Sequence, residues 1–185
     1  MALLSKDDAQ SILKKVLSYS KADECSVSLN ASQGGNIRYA RSAVSTAGEV
    51  TDTNLAVSAS FGKRTGTATI NEFDDASLQK VVARAEELAK LAPENPEYMP
   101  LLGPQTYAES IAFSSKTAGM TPNSRAEMVA QSLQVAKDAN LEAAGFLVNS
   151  SSISAMMNSK GLFAYSPGSS VDFSVTFRNQ AGTGS

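Results

Sequence analysis

The chain has 185 residues, a net charge of −2 and no histidine. Its basic residues never cluster beyond the pair Lys63-Arg64, which argues against a nucleic-acid surface, and no apolar run approaches the ~20 residues that a membrane-spanning helix needs. The absence of histidine removes Ser-His-Asp triads, Cys-His pairs and histidine-bearing zinc sites from this chain, and the N-terminus lacks the pattern of a secretory signal.

The first half of the chain predicts a helix, four short strands and a second helix. Ser5 and Asp8 resemble a capping box, and the helix they open has apolar residues at the spacing of one buried face. Alternating polar and apolar residues, interrupted by glycines, then predict strands at about 24–31, 36–47, 51–61 and 65–70. The second helix begins near Asp74-Asp75.

The second half repeats this order after a proline-rich stretch, "APENPEYMPLLGPQ", which we interpret as a stiff connector. Thr121-Pro122 predicts a helix start, and the helix runs to about Asn140. Strands are predicted at about 143–150, 151–157, 162–166 and 170–178. The predicted fold class is therefore α+β, with two helix-plus-four-strand units, mainly antiparallel sheets and an internal duplication.

The predicted domains are a first unit at 1–91, the connector at 92–106 and a second unit at 107–185. An ungapped overlay of "VSASFGKRTGTAT" on "FSVTFRNQAGTGS" supports the duplication. The overlay pairs Ser58 with Ser174, Phe61 with Phe177, Gly66 with Gly182 and Thr67 with Thr183. It also assigns "AGTGS" as the start of a strand whose continuation is missing, so the second unit is expected to be truncated at its C-terminal end.

Residue chemistry offers few catalytic candidates, and each has a stronger structural interpretation. The lone Cys25 shares a strand face with Val27 and Leu29, so we expect a small buried apolar residue in preference to a reactive thiol. Ser11 and Lys14 match S-x-x-K, but no S-D-N follows, and a solvated helix face is the favoured interpretation.

Three further patterns are interpreted as turns or helix starts. "FGKRTGT" and "QAGTGS" lack the spacing of a phosphate-binding loop, and we interpret both as hairpin turns. "NSKG" at 158–161 places Ser beside Lys, but a turn with Gly161 at positive φ accounts for it. The acidic trio Glu72, Asp74 and Asp75 is explained by a helix N-terminus without a metal. We therefore predict no catalytic, cofactor-binding or metal-binding residue in this chain.

The order of several weak motifs resembles the N-terminal region of the TldD/PmbA family, whose members are also described as modulators of DNA gyrase. The resemblance is carried by "ILKKVLSYSKADECSVSLNAS", by "NLAVSASFGKRTGTATINEFDD" and the helix after it, and by "AMMNSKGLFAY". The glycine-bearing strand places small or polar residues at matching positions, namely Gly62, Gly66, Ala68, Thr69 and Asn71.

The resemblance implies cytoplasmic proteins that act in proteolysis and peptide maturation as paired subunits around an enclosed cavity. In the TldD-type subunit, zinc is bound at H-E-x-x-x-H in the C-terminal half, whereas the PmbA-type (TldE) subunit lacks that motif. Without histidine, this chain has no position that corresponds to the motif. Zinc is therefore expected only in a C-terminal region beyond Ser185 or in a partner subunit.

Two functions follow as expectations. The first is that this chain is the N-terminal region that encloses the substrate of a TldD/PmbA-type zinc metallopeptidase and is itself inactive. The expected substrate is an unfolded or extended peptide, and the expected assembly is a homo- or heterodimer with a family subunit. Short strands with Ser and Thr on their outer face suit strand addition by such a peptide. The alternative is a non-catalytic PmbA (TldE)-like scaffold that supports a zinc-bearing partner. Neither nucleic acid nor a membrane is expected as a partner.

Overall fold

A computed structural model describes residues 4–108 and 110–184 of the chain; Ser185, the last residue of the predicted second unit, lies outside them. The elements are α1 (Lys6–Tyr19), β1 (Glu24–Ala40), β2 (Ala43–Phe61), β3 (Arg64–Ile70), α2 (Asp75–Leu91), α3 (Ser115–Ala118), α4 (Pro122–Asp138), β4 (Glu142–Asn158), β5 (Phe163–Asn179) and β6 (Gly182–Gly184). The strands form one six-stranded sheet in the order β3-β2-β1-β4-β5-β6, with antiparallel pairs β2–β3 and β5–β6.

The α+β prediction is confirmed, but the predicted strand number is wrong. Each half contributes three strands. In the first half, the three segments predicted at 24–31, 36–47 and 51–61 form the two long strands β1 and β2. In the second half, each of the two predicted pairs forms one long strand, β4 or β5, and β6 is the third strand. Gly34 and Gly35 lie inside β1, where close packing requires them: a Cβ on Gly34 would lie 2.6 Å from the Asn149 carbonyl oxygen. The turn between β1 and β2 is instead Arg41-Ser42, with φ of 52° and 56°. Two successive left-handed residues are typical of a type I′ hairpin, but neither residue is the usual Asn or Gly.

The chain forms two compact units, and both draw residues from both halves of the sequence. Unit 1 comprises the residues up to Ala31 together with Asp52–Ser110 and Ile153–Ser166; unit 2 comprises Ser32–Thr51, Ile111–Ser152 and Pro167–Ser185. These units do not follow the predicted boundaries 1–91, 92–106 and 107–185, because β1, β2, β4 and β5 are each long enough to contribute to both. The proline-rich stretch 92–106 belongs wholly to unit 1.

Unit 1 has its core between α1, α2 and one face of its strand segments. The fully buried side chains include Leu13, Val27, Leu55 and Val82. Helix α2 lies so close to β3 that a Cβ on Gly66 would come within 2.2 Å of the Ala89 amide nitrogen. Helix α2 can therefore pack this closely on β3 only because residue 66 is a glycine.

Unit 2 packs α4 on a smaller apolar core and adds a buried cation. The core consists of Ile37, Tyr39, Val129, Ala136, Ala143 and Leu147. The Arg125 side chain is 4% exposed and donates to Asn149 Oδ1 at 2.8 Å and to Glu49 Oε1 at 2.7 Å. Its guanidinium lies against the backbone of Gly35, where a Cβ would come 2.3 Å from Cζ. A guanidinium with paired donors is the kind of charge that a protein interior tolerates.

The order helix, long strand, long strand, short strand occurs twice, as α1-β1-β2-β3 and α4-β4-β5-β6. The ungapped overlay, however, does not superpose the two hairpins. Phe61 pairs with Arg64 next to the first turn, whereas Asn179 pairs with Gly182 next to the second. The two hairpins align only when the second segment is shifted by two residues, so that Phe61 corresponds to Asn179 and Arg64 to Gly182. The turns predicted in "FGKRTGT" and "QAGTGS" are both confirmed, and β6 begins at Gly182 as expected.

Candidate functional site

One sheet face of unit 1 carries hydroxyl and amide side chains in place of a helix-covered core. Cys25, Val27 and Leu29 are buried on the other face, so the intervening residues of β1 point away from the helices. The same alternation holds in β3, where Gly66, Ala68 and Ile70 face inward. We call the resulting row the hydroxyl face; it comprises Ser26, Ser28, Asn30, Ser58, Ser60, Thr65, Thr67, Thr69 and Ser154.

Hydrogen bonds between neighbouring strands connect the hydroxyl face. Thr67 donates to Ser58 Oγ at 3.2 Å, and Ser154 donates to Asn30 Oδ1 at 2.9 Å. Ser60 and Thr65 share a further bond of 2.9 Å. These side chains are neutral and hydrogen-bond in both directions, so the face is suited to peptide groups and offers no fixed charge for side-chain selection.

Strand β3 forms one edge of the sheet, and its register shows which residues present free backbone groups. The loop Gly62-Lys63 has two residues, with Gly62 at φ 57°, as in a tight hairpin. Hydrogen-bonded and non-hydrogen-bonded pairs alternate from the closing pair Phe61–Arg64. The N–H and C=O groups of Thr65, Thr67 and Thr69 therefore point to the free edge, where a further strand pairs in strand addition.

The stretch predicted as a connector is fixed to unit 1 by a buried carboxylate. Glu24 is 8% exposed and accepts hydrogen bonds from the Tyr98 hydroxyl and from the Leu101 amide at 3.0 Å. The Lys160 ammonium lies 3.1 Å from its other oxygen. Asn158 completes the attachment by donating to the Leu102 carbonyl at 2.9 Å. These bonds hold an extended segment in one conformation.

The hydrogen bonds also set the ionisation of this group. The Tyr98 hydroxyl and the Leu101 amide both favour the charged form and hold the pKa of Glu24 below its ordinary value. Burial and the neighbouring Glu24 carboxylate raise the pKa of the Tyr98 hydroxyl, so the hydroxyl stays protonated and donates its hydrogen bond. Glu24 binds the proline-rich stretch and Lys160, and it belongs to no group of three potential metal ligands in the part of the chain that the structure describes, which indicates a structural role.

The structure gives structural roles to the sequence-predicted candidates. Cys25 is buried and free, and burial raises the pKa of its thiol, so it is not an activated nucleophile. Ser11 and Lys14 are exposed on α1. Ser159 accepts a bond from the Cys25 amide at 3.1 Å, and Lys160 pairs with Glu24, so the "NSKG" residues complete a turn. Gly161 has φ 88°, as predicted.

The acidic trio forms the start of α2, as predicted. Asp74 is the N-cap of α2 and accepts a hydrogen bond from the Ser77 amide at 3.0 Å. Hydrogen bonds with the Ser77 hydroxyl, and to a smaller extent with the Ser77 amide, hold the pKa of Asp74 below its usual value. Glu72 accepts from the Ser77 hydroxyl at 3.0 Å, and Asp75 pairs with Lys15. Within residues 4–108 and 110–184, no three His, Cys, Asp or Glu side chains come together as a metal site would require.

Two features escaped the sequence analysis. The partner of Glu24 is the proline-rich stretch itself, and the only sequence signal was a charged residue at the start of an apolar strand. Arg125 was equally hidden, because its partners Glu49 and Asn149 are far away in sequence.

Unit 2 has an open cavity of about 770 Å³ lined by Asn140, Glu142, Arg178 and Asn179, among others. Arg178 and Glu142 pair at 2.9 Å and are both partly exposed. No buried titratable side chain lines the cavity, so it lacks the perturbed groups of an acid–base site. None of the helices in the described residues is long and apolar enough to span a bilayer.

Comparison with known proteins gives a match to one family and to several solved folds. Residues 25–89 match the family model described as PmbA/TldA metallopeptidase domain 1. No curated protein matches the chain. The fold is similar to TldE from Thermococcus kodakarensis, with a TM-score of 0.78 and 17% identity over 94% of this chain and 40% of that one.

Two candidate DNA gyrase modulators have the same fold. The protein from Thermotoga maritima has a TM-score of 0.77 and 14% identity over 94% of this chain and 41% of that one. The protein from Bacteroides thetaiotaomicron has a TM-score of 0.75 and 12% identity over 96% of this chain and 43% of that one. The present chain thus spans about two fifths of the length of these neighbours.

The matched residues include the features that give the first half its form: the hydroxyl face of β1 to β3, the Gly62 turn, and Gly66 beneath α2. The resemblance seen in the sequence is confirmed over residues 25–89, which match the first domain of PmbA/TldA metallopeptidases, and the chain has the fold of TldE and of the two candidate gyrase modulators.

Proposed function

We propose that this chain is the substrate-enclosing and assembly region of a cytoplasmic TldD/PmbA-type metallopeptidase and contributes no catalytic residue. The observation that supports it is the match of residues 25–89 to a metallopeptidase domain in a chain without histidine. The side chains present do not fit zinc, since the one thiol is buried and the carboxylates of the described residues do not group. Its proposed place is a homo- or heterodimer with a family subunit.

The proposed ligand is an unfolded or extended peptide that pairs with the free edge of β3. Backbone groups of Thr65, Thr67 and Thr69 supply the pairing, and the neutral hydroxyl face beside them sets little preference for sequence. This arrangement suits an enzyme that processes peptides of varied sequence.

A proline at position 67 tests this pairing. Thr67→Pro removes an edge amide and no backbone bond to β2; like Thr67→Val, it also loses the exposed side-chain bond to Ser58. The fold is therefore expected to persist, while affinity for an extended peptide falls at least tenfold, about 1.4 kcal/mol. Thr67→Val keeps the amide and is expected to bind like the wild type. The probe is a fluorescein-labelled peptide of alternating Thr and Val with terminal lysines, followed by fluorescence anisotropy.

The matched control is Thr183→Pro on β6, the other edge strand. We expect it to leave peptide affinity unchanged. Equal affinities of the wild type and Thr67→Pro would contradict pairing at β3, and a loss confined to Thr183→Pro would place binding at β6.

The alternative function is a non-catalytic scaffold of the PmbA (TldE) type that supports a zinc-bearing partner. The similarity of the fold to a protein named TldE favours it. Such a scaffold is expected to raise the activity of a TldD-type subunit without binding peptide at β3, so the anisotropy experiment separates the two functions.

A further inference from the structure

Unit 2 exposes large apolar side chains on the sheet face that packs against α4. Val175 and Phe177 of β5 pack against the unit 2 core, and strand alternation places Val171 and Phe173 on the same face. Val171 and Phe173 are nevertheless each 48% exposed. Exposed apolar side chains that continue a core are typical of a surface that another element covers.

The backbone edge of β5 beside these side chains is covered only at its two ends. At one end, β6 pairs with Phe177–Asn179. At the other end, the Ser169 amide donates to the Ala112 carbonyl oxygen at 2.9 Å, so the segment before α3 lies against the edge there. Between these points, no strand neighbours this edge of β5 in the described part of the chain.

The register of the second hairpin shows which backbone groups face the open part of the edge. The two-residue turn closes on the pair Asn179–Gly182, and hydrogen-bonded pairs alternate from there. The N–H and C=O groups of Phe173 and Val175 therefore point to the open edge, just as those of Phe177 point to β6. A strand that paired with them would continue the line of β6.

Unit 1 shows which elements cover the corresponding side chains. The alignment that sets Phe61 on Asn179 also sets Leu55 on Phe173. Leu55 is fully buried, in one core with the side chains of α2, whereas Phe173 is half exposed. Strand β3 pairs with β2 as far as the pair Leu55–Ile70. The side chains exposed in unit 2 are thus the counterparts of those that β3 and α2 cover in unit 1.

A glycine marks the same place in both hairpins. Gly66 lies opposite Ala59 in the first hairpin, and Gly184 lies opposite Phe177 in the second, so the two glycines correspond. A Cβ on Gly66 would come within 2.2 Å of the Ala89 amide nitrogen in α2, whereas a Cβ on Gly184 meets nothing within 4 Å. Unit 2 therefore has the small residue that close helix packing needs, but no helix lies against it in the described residues.

Helix α4 also presents apolar side chains on the flank that faces this region. Met128 and Val135 are seven residues apart, share one face of the helix and are 48% and 62% exposed. The opposite flank carries Ala130 and Leu133, which line a cavity of about 400 Å³ together with Ser42 of the β1–β2 turn. The Met128 flank is therefore on the β5 side, as the α2 side of α1 is in unit 1, where Lys15 pairs with Asp75.

We propose that unit 2 docks a strand that prolongs β6 and an amphipathic helix after it, the counterparts of β3 and α2. The docking face consists of Met128, Val135, Val171, Phe173, Val175 and Gly184. Strand β6 already runs along this edge towards Phe173, so the strand that fills the edge is its continuation in the same polypeptide. This chain spans about two fifths of the length of its structural neighbours, and proteins of that length have residues to supply such a segment.

The geometry of unit 1 sets the expected form of the docked segment. A strand of seven residues like β3, counted from Gly182, ends opposite Phe173, as β3 ends opposite Leu55. The helix needs one face of small and apolar residues, as α2 has with Leu78, Val82, Ala85 and Ala89. This docking goes beyond the proposed function and depends neither on zinc nor on peptide binding at β3.

A fusion protein tests the proposal. A copy of residues 68–91, the rest of β3 and α2, is appended to the 185-residue chain, where it begins in register because Gly184 corresponds to Gly66. We expect the amides of Phe173 and Val175 to exchange with solvent more slowly than in the 185-residue chain, by roughly a hundredfold. Hydrogen exchange followed by NMR measures the rates, and circular dichroism is expected to show the added helix.

Two substitutions at β6 serve as the variant and its matched control. Gly184→Leu in the fusion is expected to restore fast exchange, because its side chain occupies the space of the docked helix. Thr183→Leu, which points to the other face of β6, is expected to leave the slow exchange unchanged. In the 185-residue chain, Gly184→Leu is expected to fold like the wild type, because nothing lies near that position.

Exchange at Phe173 and Val175 that is as fast in the fusion as in the 185-residue chain would overturn the proposal. Slow exchange that Gly184→Leu does not change would also overturn it, because the helix would then lie elsewhere. Exchange that slows in the 185-residue chain as its concentration rises would show that a second copy covers this face instead. Anisotropy at β3 is a separate measurement, so failure of the docking is distinguishable from failure of the proposed function.

Discussion

Gly66→Ala is expected to lower the free energy of unfolding by about 3 kcal/mol, the upper end for overpacked sites. The new Cβ would lie 2.2 Å from the Ala89 amide nitrogen and 2.4 Å from the Ala85 carbonyl oxygen. Both are backbone atoms of α2, so no side chain can rotate to make room. The helix would have to move off β3 and open the core around Val82 and Ala85.

Urea unfolding followed by circular dichroism measures the effect, and Gly182→Ala is the matched control. A Cβ at Gly182 meets nothing within 4 Å, so this variant is expected to unfold within about 0.5 kcal/mol of the wild type. Equal midpoints for Gly66→Ala and Gly182→Ala would show that α2 does not lie against β3 as described.

Glu24→Gln is expected to cost about 2 kcal/mol at neutral pH, because hydrogen bonds to a charged acceptor are lost or weakened. The amide still accepts from Leu101, but Lys160 loses its counter-charge. Tyr98→Phe removes one donor and is expected to cost about half as much. Glu97→Gln, an exposed carboxylate of the same stretch, is the control and is expected to have little effect.

The effect of Glu24→Gln on the free energy of unfolding is expected to depend on pH. The pKa of Glu24 is lowered in the folded chain, so its contribution is fully present above the unfolded pKa of about 4.3 and is lost as pH falls through the lower folded value. The stability difference between wild type and Glu24→Gln should shrink as pH falls below that point. A difference that stays constant from neutral pH to pH ~3 would contradict the assignment.

The sequence predicted the features of the fold that depend on residues close together in the chain. The helix starts at Ser5, Asp74 and Thr121, together with the Gly62 and Gly161 turns, follow from capping and from glycine's access to positive φ. The family resemblance also came from local motifs. Gly66 shows why such a motif is specific, because α2 can pack against β3 only if the residue at position 66 has no side chain.

What the sequence did not predict depends on distant partners. Gly34-Gly35 looked like a strand break, but Gly35 is small because the Arg125 guanidinium occupies that space. The Arg41-Ser42 turn has no Gly or Asn to reveal it. The proline-rich stretch looked like a connector because Glu24, which holds it in unit 1, lies some 74 residues earlier in the chain. The hydroxyl face was expected only as polar outer rows, and its hydrogen bonds required the strand register.

The most direct test of the central claim is the zinc content and peptidase activity of the purified 185-residue chain. After incubation with zinc and gel filtration, elemental analysis is expected to find far less than one zinc per chain, and labelled casein should remain uncleaved. One tightly held zinc per chain, together with hydrolysis that a chelator abolishes, would contradict the account, because it would place the catalytic centre within these residues.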